Sequence, residues 1–137
     1  MRIAYITLDD VNRFMLRRWA EQNRLRVECP SADQLPTPVH GADAVVVDLD
    51  FLPAALREIW LARLLADALP GRAMVHGHNI TDAEAVALRR KNVRICRGLL
   101  RRRHFNSWVR DLRRRCQATV RAAAADRERT ATGVGMS

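Results

Sequence analysis

No stretch of this 137-residue chain approaches the ~20 consecutive apolar residues that cross a bilayer. Its first residues also lack the charged-then-apolar pattern of a secretion leader. Cysteine is scarce: Cys29, Cys96 and Cys116 are odd in number and form no CxxC pair. That excludes a disulfide framework and a zinc knuckle, and predicts reduced, mostly buried thiols. A cytoplasmic protein with no membrane span is the expectation. Also missing are a P-loop, a GxGxxG turn after the first strand and a GxSxG elbow, so nucleotide-binding and hydrolase readings have no support and the chain is not expected to be an enzyme. There is no internal repeat.

What is present is a composition 48% hydrophobic with a net charge of +9, enough apolar material for one globular domain with a real core. The charge is unevenly placed. Residues 99–137 hold ten basic and three acidic side chains, against fourteen and twelve in residues 1–98. The excess therefore belongs to the C-terminal segment.

The stretch from Ala42 to Pro53 organises the chain. Val45-Val46-Val47 is a β-branched run closed by Asp48 and Asp50, which predicts a strand buried on both faces with carboxylates at its C-terminal end. Before it, Arg2 to Leu8 reads as a central strand ending at Asp9-Asp10. Val11, Phe14, Met15 and Trp19 then recur at helical spacing to about Asn23, with Asp10 a candidate N-cap. Leu25 to Cys29 alternates as a second strand. Between Pro30 and Gly41 the prolines at 30, 36 and 38 leave room for at most one helical turn, around Ser31 to Leu35.

After Pro53 the apolar residues Leu56, Ile59, Trp60, Leu64 and Leu69 predict a core-facing helix that stops at Pro70-Gly71. Arg72 to His76 is the fourth strand. Thr81-Asp82-Ala83-Glu84 has the spacing of a capping box, with Ala83, Val86 and Ala87 predicted on one face. Val93 to Cys96 is the last strand. Phe105, Trp108, Val109, Leu112, Cys116 and Val120 then mark a final amphipathic helix. A domain over residues 1–121 and a frayed, disordered tail over 122–137 follow. Strands and helices alternating in this way predict an α/β fold, a flavodoxin-like doubly wound parallel sheet of five strands in the order 2-1-3-4-5 with a reduced second helix.

In that order the crevice lies between the first and third strands, so Asp9, Asp10, Asp48 and Asp50 are expected to converge there. Such a cluster repels itself unless a hard cation such as Mg²⁺ neutralises it. At these residues the chain resembles the receiver domain of two-component response regulators, from Arg2 to about Val120. The resemblance implies that Asp9, Asp10 and Asp48 hold Mg²⁺ and that Asp48, behind Val45-Val46-Val47, accepts a phosphoryl group, as a carboxylate can. The family's hydroxyl after the fourth strand falls at His76 or Gly77, and its lysine after the fifth strand is replaced by Arg97, whose planar fork is not an equivalent phosphate clamp. Pro53 also lies one residue later than usual. The resemblance is thus to a degenerate receiver. It implies a bacterial stand-alone signalling module of the two-component or phosphorelay type that acts on a protein partner or on a second copy of itself, with residual phosphorylation at Asp48. The plain alternative is that these acids only cap helices.

Two other groupings stand out. His76 and His78 alternate around Gly77, and His40 or Cys96 would complete a metal site with them; loop-lining polar residues are the simpler reading. Arg101, Arg102, Arg103, Arg113, Arg114 and Arg115 flank Phe105 and Trp108. They support an alternative function, a small nucleic-acid-binding protein using its last helix. A solvated helix face is the competing reading, since the aromatics share the apolar stripe.

Overall fold

The computed structural model describes residues 1–31, 34, 41–66 and 71–135, with side chains to residue 130. The elements are β1 (Arg2–Ile6), α1 (Asp10–Gln22), β2 (Arg26–Glu28), β3 (Ala44–Asp48), α2 (Ala54–Ala66), β4 (Ala73–Gly77), α3 (Asp82–Arg90), β5 (Arg94–Arg97) and α4 (Arg102–Gly135). The five strands form one sheet in the order β2-β1-β3-β4-β5, every neighbouring pair parallel. This is the expected doubly wound, flavodoxin-like arrangement. The short turn expected around Ser31 to Leu35 lies largely outside the described residues, as do His40, Leu69 and Pro70.

Side chains alternate across the sheet because successive Cβ atoms point to opposite faces. Ala4, Ile6, Val45, Val47 and Val75 meet Trp60, Leu61 and Leu64 of α2 and Ala85 and Leu88 of α3 on one face. Ile3, Tyr5, Val46 and Met74 meet Leu16 and Ala20 of α1 and Phe105, Trp108, Val109 and Leu112 of α4 on the other. β3 and β4 are buried at every position, which is what central strands covered on both faces require.

α4 buries the expected Phe105, Trp108, Val109 and Leu112, and α2 the expected Trp60 and Leu64 with Leu56 packed beside them, whereas α1 and α3 are rotated from their expected stripes. On α1 the buried residues are Leu16 and Ala20, while Val11 and Phe14 are each 66% exposed. On α2 Leu61 replaces the exposed Ile59 in the core, and on α3 Ala85 and Leu88 replace Ala83 and Val86. In each case the helix turns toward the sheet the face that fits between its neighbours, and the displaced Phe14, Ile59, Ala83 and Val86 lie one or two positions from a buried residue. The capping box is present, with Thr81 and Glu84 each bonding the other's backbone N–H.

α4 continues past Ala122, where a frayed tail was expected, and stays helical to Gly135. Alanine is the best helix former, and Ala122 to Ala125 carries the backbone on without packing. Val120 is exposed rather than part of the stripe, as is every residue from Arg121 to Thr130. Cys96 is buried, Cys29 and Cys116 are half-buried, and all three are free thiols. Among the described residues no helix is long and apolar enough to cross a membrane.

Candidate functional site

The C-terminal ends of β1, β3 and β4 carry the buried polar residues of the sheet: Thr7, Asp48 and His76. Register places Asp48 beside His76. The Asp48 carboxylate uses one oxygen fully: Oδ2 accepts from Thr7 Oγ1 at 2.8 Å and from Asn12 Nδ2 at 2.9 Å. Its other oxygen, Oδ1, is buried with no hydrogen-bond partner among the described residues. The nearest cationic candidate is His76 Nδ1 at 3.8 Å, beyond hydrogen-bond reach.

His76 is fixed from its far side, where Nε2 and the Tyr5 hydroxyl lie 2.8 Å apart. Burial pushes the His76 pKa down, against the opposing pull of the Asp48 and Asp50 charges. Burial also pushes the Tyr5 phenol far up, reinforced by Asp48, so Tyr5 keeps its proton. A neutral imidazole with Nδ1–H toward Asp48 and Nε2 accepting from Tyr5 is the tautomer that suits both neighbours.

The expected acidic pair does not act as a pair. Asp9 is the N-cap of α1: its Oδ2 accepts from the Asn12 backbone N–H at 2.9 Å. Asp10 points outward, its side chain 93% exposed and 3.1 Å from Arg13. Asp10 was the expected cap, but the helix begins one residue earlier. The residue at the end of β1 that reaches Asp48 is therefore Thr7, an alcohol, with Asn12 from the first turn of α1 as its second donor. Neither was anticipated from sequence. Their signal was only positional: a hydroxyl directly after a buried strand, and an amide three residues after a helix-capping acid.

Asp50 lies across the tip of β4. It accepts from the backbone N–H of His78 at 2.8 Å and of Asn79 at 3.2 Å, and lies 2.8 Å from the His78 ring Nδ1. Partial burial works against its ionisation, but these bonds outweigh it and hold the carboxyl below its ordinary pKa. Gly77 makes the approach possible, since a Cβ there would sit 2.9 Å from Asp50 Oδ1. Asp9, Asp48 and Asp50 thus converge on one pocket of about 350 Å³, together with Tyr5, Asn12, His76 and His78, against apolar walls from Trp19, Leu16, Leu100 and Phe51.

Arg97 is not in this pocket. It donates to Asp82 Oδ1, in the acidic first turn of α3, at 2.7 Å and to the Ile80 carbonyl at 2.6 Å. The expected histidine metal site is divided as well. His76 is engaged with Tyr5, His78 with Asp50, and Cys96 Sγ lies 3.4 Å from His104 Nδ1. Among the described residues no three His, Cys, Asp or Glu side chains are grouped to hold a metal. The Mg²⁺ that the resemblance implies is poorly matched by this donor set, since Asp10 faces solvent, Asp9 uses an oxygen on the helix cap and Asp48 offers one free oxygen.

Arg101, Arg102, Arg103, Arg113, Arg114 and Arg115 are all exposed. Arg113 bonds the Asn23 carbonyl, Arg114 lies 3.9 Å from Asp111, and the Arg115 guanidinium occupies the space that a Cβ on Gly71 would fill. Phe105 and Trp108 are in the core and do not interleave with these charges.

No family model matches the chain and no curated protein does. Among solved structures, the chain is similar to the non-phosphorylated receiver domain of HemR from Leptospira biflexa. The two share 18% identity over 81% of this chain and 92% of that one, with a TM-score of 0.61. The chain therefore has a receiver-like fold, in agreement with its strand order.

Proposed function

We propose that this chain is an atypical receiver-like signalling module that works by binding a protein rather than by turnover. The observation that carries this reading is an apolar rim beside the strand-end pocket of a receiver-type sheet. Val11 and Phe14 stand out from α1, Leu8 and Phe51 are also exposed, and the Leu8 N–H donates to the Phe51 carbonyl at 3.3 Å. Loops after β1 and β3 are thereby held together with their apolar side chains turned to solvent, as a docking surface needs. The likeness to a domain named as a non-phosphorylated receiver supports the signalling class.

Phosphorylation is not what the site is arranged for. A phosphoryl acceptor must present an oxygen to the incoming group with cationic charge beside it. Asp48 keeps Oδ1 free, but among the described residues no lysine or arginine lines its pocket, and Arg97 is held by Asp82. The test is acetyl phosphate or beryllofluoride with Mg²⁺, read by intact mass and amide NMR. No adduct and no shift at Asp48 are expected; a stoichiometric adduct would return the chain to the phospho-accepting class. Partner binding is tested by affinity capture with the wild type and with Val11→Ser/Phe14→Ser. A protein recovered by the wild type and lost with the folded double variant is expected, and equal recovery would remove the rim from the interface.

A further inference from the structure

Among the described residues Asp48 Oδ1 has no donor within hydrogen-bond reach, the nearest being His76 Nδ1 at 3.8 Å. The carboxylate is fully buried, its Oδ2 has two donors and its Oδ1 has none. An uncompensated buried acceptor of this kind costs free energy that a ligand can recover. Asp48 lines the strand-end pocket with Asp9 and Asp50, and among the described residues no lysine or arginine lines it. An anion is therefore unsuited to it.

A metal ion is unsuited for a different reason. Mg²⁺ takes most of its six oxygens from water but still needs one or two carboxylates free to face it, whereas Asp50 is already bonded to three donors, Asp9 caps α1, and among the described residues no three His, Cys, Asp or Glu side chains are grouped to hold an ion. A single N–H donor needs only one acceptor. The rest of the pocket is apolar and aromatic, with Trp19, Leu16 and Leu100 forming its wall, and its volume of about 350 Å³ lies at the small end of ligand sites.

We propose that the strand-end pocket binds a small organic monocation, a primary ammonium carried on an aromatic or apolar body, with the ammonium donating to Asp48 Oδ1 and the body lying against Trp19. The positive charge meets three carboxylates in a partly dehydrated site, where its attraction is strongest, and the Trp19 ring face adds a cation–π or stacking contact. Binding at this position joins the ends of β1 and β3 and the first turn of α1, the segments that also carry the apolar rim. Ligand occupancy and partner docking are thereby placed side by side. The proposal does not depend on the docking reading, because the ligand is assayed with no partner present.

The experiment titrates the whole chain with phenethylamine and tryptamine, and in parallel with 2-phenylethanol, 3-phenylpropionate and Mg²⁺ alone, following amide NMR shifts and calorimetry. Both amines are expected to bind, with shifts centred on Tyr5, Asn12, Asp48, His76 and Leu100. The alcohol is expected to bind at least about tenfold more weakly, the loss of about one charge-assisted hydrogen bond, and the carboxylate and Mg²⁺ to leave those amides unmoved. Asp48→Asn should remove the preference for amine over alcohol. Trp19→Ala, which keeps the carboxylate, should weaken both ligands together and serves if Asp48→Asn does not fold. The proposal is overturned if neither amine binds at millimolar concentration, if amine and alcohol bind equally, or if the shifts map elsewhere.

Discussion

Thr7 shows how much of the site depends on one hydroxyl. Its Oγ1 donates to Asp48 Oδ2 at 2.8 Å while accepting from the Asp9 backbone N–H at 3.1 Å, so it links the buried carboxylate to the start of α1. Thr7→Val keeps the volume and removes both bonds. A loss of about 1–3 kcal/mol of stability is expected in urea denaturation, the cost of leaving buried polar groups unmatched. Asp10→Ala should change stability by less than about 0.5 kcal/mol, since that carboxylate is in solvent. If both substitutions cost the same, the assignment of Thr7 rather than the acidic pair to Asp48 fails. His76 gives a pH signature. Its folded pKa is lowered from 6.5 by burial, so below that value the unfolded chain takes up a proton that the native chain resists, and stability must fall as pH drops from 6.5 toward the folded pKa. Denaturation midpoints measured across that window should slope downward for the wild type and more shallowly for His76→Gln. Asp48 could be found from sequence because a β-branched run announces its strand end. Thr7 and Asn12 could not, because their contacts with it cross 41 and 36 residues and depend on how α1 enters the sheet.

At the scale of elements, sequence periodicity located the described strands and helices and the core-facing stripe of α4 and most of that of α2, but it put the wrong faces of α1 and α3 toward the sheet. α1 offers two candidate apolar stripes, Val11-Phe14 and Leu16-Ala20, and composition favours the larger residues. Packing against Ile3, Tyr5 and Trp108 chooses the second, since Ala20 lets the helix approach closely and Phe14 would not. The rim residues are therefore not core residues. Val11→Ser and Phe14→Ser are expected to leave the thermal midpoint of the isolated chain nearly unchanged, whereas Leu16→Ala should cost about 2–5 kcal/mol. Scanning calorimetry on the three variants separates the faces, and a large loss at Phe14 would put it back in the core. The cap behaves as an element property too. Asp9 begins α1 because Asn12, three residues on, offers its N–H, and the adjacent acid only supports the helix dipole from outside.

For the molecule as a whole, the question is what the excess positive charge and the long last helix do together. α4 contributes Phe105, Trp108, Val109 and Leu112 to the core, and from Gln117 to Thr130 every residue is exposed. The helix is thus two objects in series: a packed half that closes one face of the sheet, and a projecting half held by its own backbone bonds, local side-chain contacts such as Arg129 with Asp126, and the high helix propensity of alanine. Deletion of residues 122–137 should accordingly leave the urea midpoint of the domain within the spread of surface substitutions, about 0.5 kcal/mol, while Leu112→Ala destabilises it by about 2–5 kcal/mol. Arg113 and Arg115 lie in the packed half against Asn23 and Gly71, so the truncated chain keeps them. Weak, salt-steep association with duplex DNA, where charge alone produces it, should then survive the deletion and vanish with Arg113→Ser/Arg114→Ser/Arg115→Ser. Fluorescence anisotropy of a labelled duplex across a salt series decides it: a truncated chain that loses all affinity would mean that the projecting half, and not the domain's own arginine face, is the nucleic-acid contact.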